Sequence, residues 1–237
     1  MSAANNIVKR TITDILHLLY PQLCISCHAQ AVEGKSLICL ACESRLEVTN
    51  FHEIYPNECS DRLQGMNNLV YAASMYRFYP GGQVQEMIHQ IKYGGQTHAA
   101  NKLGQRYGAT LCQQKALEDL DLIVPIPLHI RKLRQRGYNQ SDHFAHGLSE
   151  ALKVPWSKQL IKRVRYTESQ TAKSRIDRLR NMENAFAILP KKNLDYKHIM
   201  LVDDVLTTGA TIEACAYSLG THYAVRISVV TIAIAAS

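Results

Sequence analysis

Ile199-Met200-Leu201-Val202-Asp203-Asp204-Val205-Leu206-Thr207-Thr208-Gly209-Ala210-Thr211 is the stretch that decides the fold. Four apolar residues in a row suit a buried strand, two adjacent carboxylates are expected to close it, and a Thr/Gly-rich turn then opens a helix. A strand of that kind belongs to a parallel sheet. Ligands bind at the carboxyl edge of such sheets in open α/β folds, so acids placed there face a cleft. Neighbouring carboxylates can accept hydrogen bonds from vicinal hydroxyls, as on a ribose. The backbone N–H groups from Thr207 to Thr211, at a helix N-terminus, form a pocket for a phosphate. The order of these features describes a clamp for a sugar phosphate. An ordinary strand-to-helix turn with a capping Thr is the plainer reading, since Thr and Asp favour turns and caps in any case.

The same run resembles, position for position, the binding signature of the type I phosphoribosyltransferases, which hold 5-phosphoribosyl-1-pyrophosphate (PRPP). The resemblance implies that Asp203 and Asp204 hold the ribose 2′- and 3′-hydroxyls and carry any catalysis. It implies too that Thr207, Thr208, Gly209, Ala210 and Thr211 wrap the 5′-phosphate, with Mg²⁺ accompanying the pyrophosphate.

The flanking segments alternate between strand and helix. Val84, Met87, Ile88 and Ile91 repeat at helical spacing and Gly94-Gly95 stops them. Leu103, Tyr107 and Leu111 mark a second helix, and Phe144, Leu148 and Leu152 a third. Residues 122–127 form a short apolar run whose prolines suit a strand end. Residues 212–219 read as the helix behind the central strand and residues 225–234 as a final strand. Alternation of this kind implies an open, mostly parallel sheet flanked by helices. At 237 residues and 46% hydrophobic, the chain has material for a substantial core. Its longest apolar stretch, residues 227–236, is half the roughly 20 residues a bilayer crossing requires. Residues 7–19 carry Lys9, Arg10 and Asp14 among apolar residues at helical spacing, an amphipathic helix unlike a secretion signal. The expected location is the cytoplasm, or the inner face of the membrane if that helix attaches there peripherally.

Cysteines set the N-terminal region apart. Cys24-x-x-Cys27 is followed by Cys39-x-x-Cys42, two knuckles able to give four thiolates to a tetrahedral ion, for which zinc is the expected choice. His28 and Cys59 are alternative ligands, and two disulfides or one redox-active pair are the alternatives to a metal. Four thiolates leave no open position for water, so the zinc is expected to be structural. Cys59, Cys112 and Cys215 read as packing residues.

Charge is uneven. Residues 130–180 hold thirteen Lys/Arg against four Asp/Glu, or +9, while the whole chain carries +7. The runs Arg131-Lys132-Leu133-Arg134-Gln135-Arg136 and Lys162-Arg163-Val164-Arg165 suit a polyphosphate or a nucleic-acid backbone, the alternative being a merely basic surface. Tyr138 and Tyr166 beside them suit either base stacking or the core.

Val124-Pro125-Ile126-Pro127-Leu128-His129, then Arg131, Arg134, Arg136-Gly137-Tyr138-Asn139-Gln140, Gln170, Arg178, Arg180-Asn181 and Asn184-Ala185-Phe186, resemble the ComF/GntX family. The knuckles and Ile88-His89-Gln90-Ile91-Lys92-Tyr93 fit it as well. The resemblance implies a type I phosphoribosyltransferase fold over residues 61–237 with a small N-terminal helix and four-cysteine zinc-binding module over residues 1–60. Many relatives carry a longer cysteine-rich region with further pairs after the first knuckles, whereas here that N-terminal region adds only Cys59. The function implied is in natural transformation: handling incoming single-stranded DNA in the cytosol, with a DNA helicase or translocase of the competence machinery as partner. Arg131, Arg134 and Arg136 would face the pyrophosphate or the DNA. An active phosphoribosyltransferase of nucleotide or nucleobase metabolism is the alternative, although no residues that would recognise an accepting base stand out.

Overall fold

A computed structural model describes residues 22–32, 36–164, 185–189 and 196–236. The amphipathic segment 7–19, Tyr166, Gln170, Arg178, Arg180, Asn181 and Asn184 lie outside the described residues.

Four parallel strands form the sheet: β1 (Leu69–Phe78), β2 (Leu122–Pro125), β5 (His198–Leu206) and β6 (Arg226–Ala235), in the spatial order β1-β6-β5-β2. A separate antiparallel pair, β3 (Ile161–Arg163) and β4 (Phe186–Ile188), lies outside it. The helices are α1 (Leu40–Glu43), α2 (Glu58–Arg62), α3 (Gln83–Tyr93), α4 (Thr97–Leu111), α5 (Ile130–Arg136), α6 (Gln140–Leu152) and α7 (Ala210–Gly220). The expected open, mostly parallel sheet flanked by helices is therefore present. The antiparallel element on its edge is residues 47–49, which run along β1 through Thr49 N–H to Met75 O (3.0 Å) and Arg77 N–H to Glu47 O (2.8 Å).

Sandwiching explains why β5 reads as a continuous apolar run. Ile199, Met200, Leu201 and Val202 are all fully buried, and side chains alternate faces along a strand. Met200 and Val202 pack with α3, α4 and α6, while Ile199 and Leu201 pack with α7. Each such burial contributes about 1.5–3 kcal/mol. Helices α4 and α6 cross so closely that a Cβ on Gly147 would sit 2.0 Å from Asn101 O, and one on Gly104 2.3 Å from Phe144 O.

Two expectations change. The acids do not close the strand: β5 continues through Val205 and Leu206, which pair with Ala233 and Ile234 of β6. The ladder to β2 does end beside them, at Pro125 opposite Val202. The carboxylates thus sit where one neighbouring strand has stopped and the other has not. Cys112 is exposed, at the end of α4, rather than packed. β1 and the β3–β4 pair are strands beyond those expected from the sequence. The middle of β1 is Ala72, Ala73 and Ser74, buried without the bulk that marks a core strand.

Candidate functional site

Because β2 and β5 are parallel neighbours, the segments that leave their carboxyl ends emerge at one edge of the sheet. From β2 the chain enters α5 and then α6; from β5 it enters the Thr207–Gly209 turn and α7. That edge gathers most of the described residues the sequence singled out.

Asp203 and Asp204 leave opposite faces of β5, yet both are held by the first turn of α6. Ser141 Oγ donates to Asp203 Oδ1 (3.0 Å), which also accepts from the Asp204 N–H (2.8 Å). Gln140 Nε2 donates to Asp204 Oδ2, and Lys92 Nζ from the last turn of α3 lies 3.0 Å from the same oxygen. Burial and the neighbouring Asp204 charge push the Asp203 carboxyl up to about 7, against the pull of the Asp204 N–H, Lys92 and Ser141. Asp203 is therefore partly protonated near neutral pH, while Lys92 stands beside Asp204.

The turn after β5 is built for a left-handed residue. Gly209 has φ +79° and caps α7, and a Cβ there would lie 2.6 Å from Arg62 O and 2.9 Å from Leu63 Cδ2. Thr207 and Thr208 are exposed, and no side chain caps the N-terminus of α7. Arg62 of α2 braces the turn from behind, donating through Nη1 to Thr207 O (2.9 Å) and Leu206 O (3.4 Å). Gly65 N–H donates to Glu213 Oε1 (2.9 Å) on the first turn of α7. Neither Arg62 nor Gly65 was legible beforehand, because both stand more than 140 positions from what they hold.

The three arginines of α5 divide. Arg136 is drawn into the site: its Nη1 donates to Gln140 Oε1 (3.1 Å), its Nη2 to Tyr93 Oη (3.0 Å), and its guanidinium lies over the Tyr93 ring. Arg131 and Arg134 are exposed on the helix. His129 caps that helix, Nδ1 accepting from Arg131 N–H (3.2 Å), and desolvation with the Arg131 and Arg163 charges keeps its imidazole below the usual range. Tyr138 donates its hydroxyl to Ile91 O (2.7 Å), which latches α3 to the α5–α6 turn.

A second centre lies in the N-terminal region. The thiols of Cys24, Cys27, Cys39 and Cys42 all lie within 4.8 Å of one another, and Cys27 Sγ is 3.9 Å from Cys39 Sγ. Four sulfurs about 2.3 Å from a tetrahedral zinc stand about 3.8 Å apart, so the donor set and spacing fit such an ion. All seven cysteines are free thiols. Backbone N–H groups of Ala29 and Gln30 lower the Cys27 thiol to about 6, whereas burial pushes Cys42 up to about 12. The alternative ligands point elsewhere: His28 meets Glu86 (3.2 Å), and Cys59 lies against Ser74 Oγ (3.2 Å). Cys24, Cys39 and Cys42 share one apolar core with Met75 and Tyr76 of β1 and with Leu103 of α4.

At the opposite edge of the sheet, His198 Nδ1 faces Asp119 Oδ1 (2.9 Å) and Nε2 faces Ser228 Oγ (2.8 Å). The order resembles a nucleophilic triad. His198 and Ser228 are fully buried, however, so no substrate reaches them, and both imidazole nitrogens are simply satisfied, one by Ser228 and the other by Asp119 at the surface. Among the described residues no helix is long and apolar enough to cross a membrane.

No family model matches the chain. Competence protein F of Haemophilus influenzae is 30% identical over 202 residues, covering 80% of this chain and 86% of that protein. Competence protein ComFC of Bacillus subtilis is 28% identical over 210 residues, covering 86% and 81%. DNA utilization protein YhgH of Escherichia coli K12 is 34% identical over 137 residues, covering 56% of this chain and 59% of that protein. Among solved structures, a hypoxanthine phosphoribosyltransferase from Staphylococcus aureus aligns over 57% of this chain and 62% of its own at 14% identity. Its TM-score of 0.34 is too low to carry an argument.

Proposed function

The chain belongs to the competence protein F family, and from that premise we propose that it handles incoming single-stranded DNA during natural transformation while holding a phosphoribosyl ligand such as PRPP. The observation that carries the ligand half is the meeting of three elements at one sheet edge. These are the Asp203–Asp204 pair, the left-handed Gly209 turn at the uncapped N-terminus of α7, and the first turn of α6. Asp203 and Asp204 would accept from the ribose hydroxyls, and the N–H groups over Thr207, Thr208, Gly209, Ala210 and Thr211 would take the 5′-phosphate. Mg²⁺ entering with PRPP would neutralise its pyrophosphate, as that ion does when held largely by substrate phosphates. Arg136, fixed by Tyr93 and Gln140, adds positive charge at the same edge.

The DNA half is supported by the relatives named for competence and for DNA utilization, and by the exposed Arg131 and Arg134 within a stretch of charge +9. Such charge favours a phosphate backbone and binding without sequence preference. In this reading residues 1–60 form a module that uses Cys24, Cys27, Cys39 and Cys42 to hold a structural zinc against the sheet domain, residues 61–237. A DNA helicase or translocase of the competence machinery is the protein partner implied, and the cytoplasm, or the inner membrane face, the location.

The test is a strain carrying Asp203→Asn with Asp204→Asn, paired with thermal unfolding of both purified proteins in PRPP and Mg²⁺. The expected result is lost transformation with normal growth lacking added nucleobases, and a ligand-induced rise in melting temperature for the native protein only. Normal transformation by the double variant would sink the clamp as a functional element. A nucleobase requirement would instead favour an active phosphoribosyltransferase.

A further inference from the structure

We propose that Glu58 and Arg62 of α2 are positioning residues for the phosphate: without touching the ligand, they aim the backbone N–H groups of Thr207 and Thr208 at it. The inference rests on the sugar-phosphate reading of the clamp and adds to it the device that orients the turn.

The geometry begins with two carbonyls. Arg62 Nη1 donates to Thr207 O (2.9 Å) and to Leu206 O (3.4 Å). A trans peptide unit is planar, and its C=O and N–H point in opposite directions. The Leu206 carbonyl shares its unit with the Thr207 N–H, and the Thr207 carbonyl shares its unit with the Thr208 N–H. Drawing both carbonyls back toward α2 therefore turns both N–H groups away from it, and Thr207 and Thr208 are exposed on the turn. Successive N–H groups held in this way, ahead of a helix N-terminus, suit an anionic phosphate. The α2 side is closed, because Arg62 O and Leu63 Cδ2 would lie 2.6 and 2.9 Å from a Cβ on Gly209.

Arg62 can keep that pose because it is itself held. Its Nη2 donates to Glu58 Oε1 (2.5 Å), one helical turn earlier, and Arg77 Nη1 of β1 donates to Glu58 Oε2 (2.6 Å). Against the effect of burial, the hydrogen bonds and charges of Arg77 and Arg62 keep the Glu58 carboxyl below its usual range, so it stays ionised. The helix is anchored to the same strand. Asn57 caps it, Oδ1 accepting from Cys59 N–H (2.9 Å), while Asn57 Nδ2 donates to Ala72 O of β1 (2.8 Å). Support for the turn thus runs from Arg77 through Glu58 to Arg62, with a rigid guanidinium fork as its last link. An ammonium lacks that fork, so lysine is no substitute at this position.

Calorimetric titration with ribose 5-phosphate, on native protein, Glu58→Gln and Arg62→Lys, tests this, together with phosphorus NMR of the bound phosphate across pH. Thermal unfolding first establishes that each variant is folded at the assay temperature; Glu58→Gln, which is isosteric and keeps Arg62, decides alone should Arg62→Lys not fold. Affinity is expected to fall about tenfold in either variant, the usual worth of one hydrogen bond to a charged group. The second ionisation of a free phosphate monoester lies near about 6. On native protein it should lie lower, because aimed N–H groups favour the dianion, and in the variants it should return toward the free value. A merely structural role would lower stability and leave that ionisation where native protein has it. Unchanged affinity in folded Glu58→Gln, or weaker binding with the native ionisation retained, overturns the positioning role while native binding leaves the clamp standing. Failure of native protein to bind either ribose 5-phosphate or PRPP with Mg²⁺ overturns the clamp and the positioning role together.

Discussion

Lys92 Nζ stands 3.0 Å from Asp204 Oδ2, and Asp204 is only 6% exposed. A carboxylate so enclosed depends on its cation, because a lone buried charge is costly while a paired one is not. Lys92→Met should therefore lower stability by about 2 kcal/mol, as seen in urea unfolding, while Lys92→Arg should stay near the native value. An unchanged midpoint for the methionine variant would show that solvent already screens Asp204.

Asp203 carries the opposite burden. Its carboxyl titrates near 7 in the fold against about 4 unfolded, so between those values the folded state alone keeps the proton and stability falls as pH rises. Asp203→Asn removes that dependence. The variant's melting temperature should lie near native at pH 5 and rise above it by pH 8, with the excess growing through that window. A constant difference across the range would refute the assignment.

Gly209 occupies a left-handed conformation and has Arg62 O within 2.6 Å of where a Cβ would lie. Gly209→Ala should cost about 1–3 kcal/mol in chemical denaturation and displace the turn that would cradle the phosphate. Retention of both stability and PRPP binding would mean that the turn relaxes freely.

Elemental analysis of native protein is expected to give one zinc per chain. Since Cys24, Cys39 and Cys42 share a core with β1 and α4, Cys39→Ser or a strong chelator should lower the melting temperature of the sheet domain and not only of the knuckles. Metal-free native protein with intact stability would remove the ion from the account.

Single-stranded DNA should bind with an affinity that falls steeply with salt. Arg131→Ala with Arg134→Ala should flatten the slope by roughly 0.7 for each lost phosphate contact, leaving PRPP binding unaltered. Arg136 is unsuitable for that comparison, because it also orients Tyr93 and Gln140. A flat titration of native protein in fluorescence anisotropy at low salt would end the nucleic-acid reading.

Local pattern alone determined much of this protein. The apolar run of residues 199–202 announced a buried parallel strand, because a strand covered on both faces has no solvent-facing side to favour alternating polar residues. The Val84, Met87, Ile88 and Ile91 spacing announced α3, and the two Cys-x-x-Cys pairs announced four converging thiols. Tertiary structure alone decided the rest. Small residues hid β1, since Ala72, Ala73 and Ser74 interrupt the bulky apolar pattern between Tyr71 and Met75. Only folding gave Asp204 its Lys92 and Gln140, set Arg62 behind the 207–209 turn, and separated Arg136 from Arg131 and Arg134. These are contacts between side chains on different elements, and a linear pattern fixes which face of its own element a residue occupies but not which residue will meet it there.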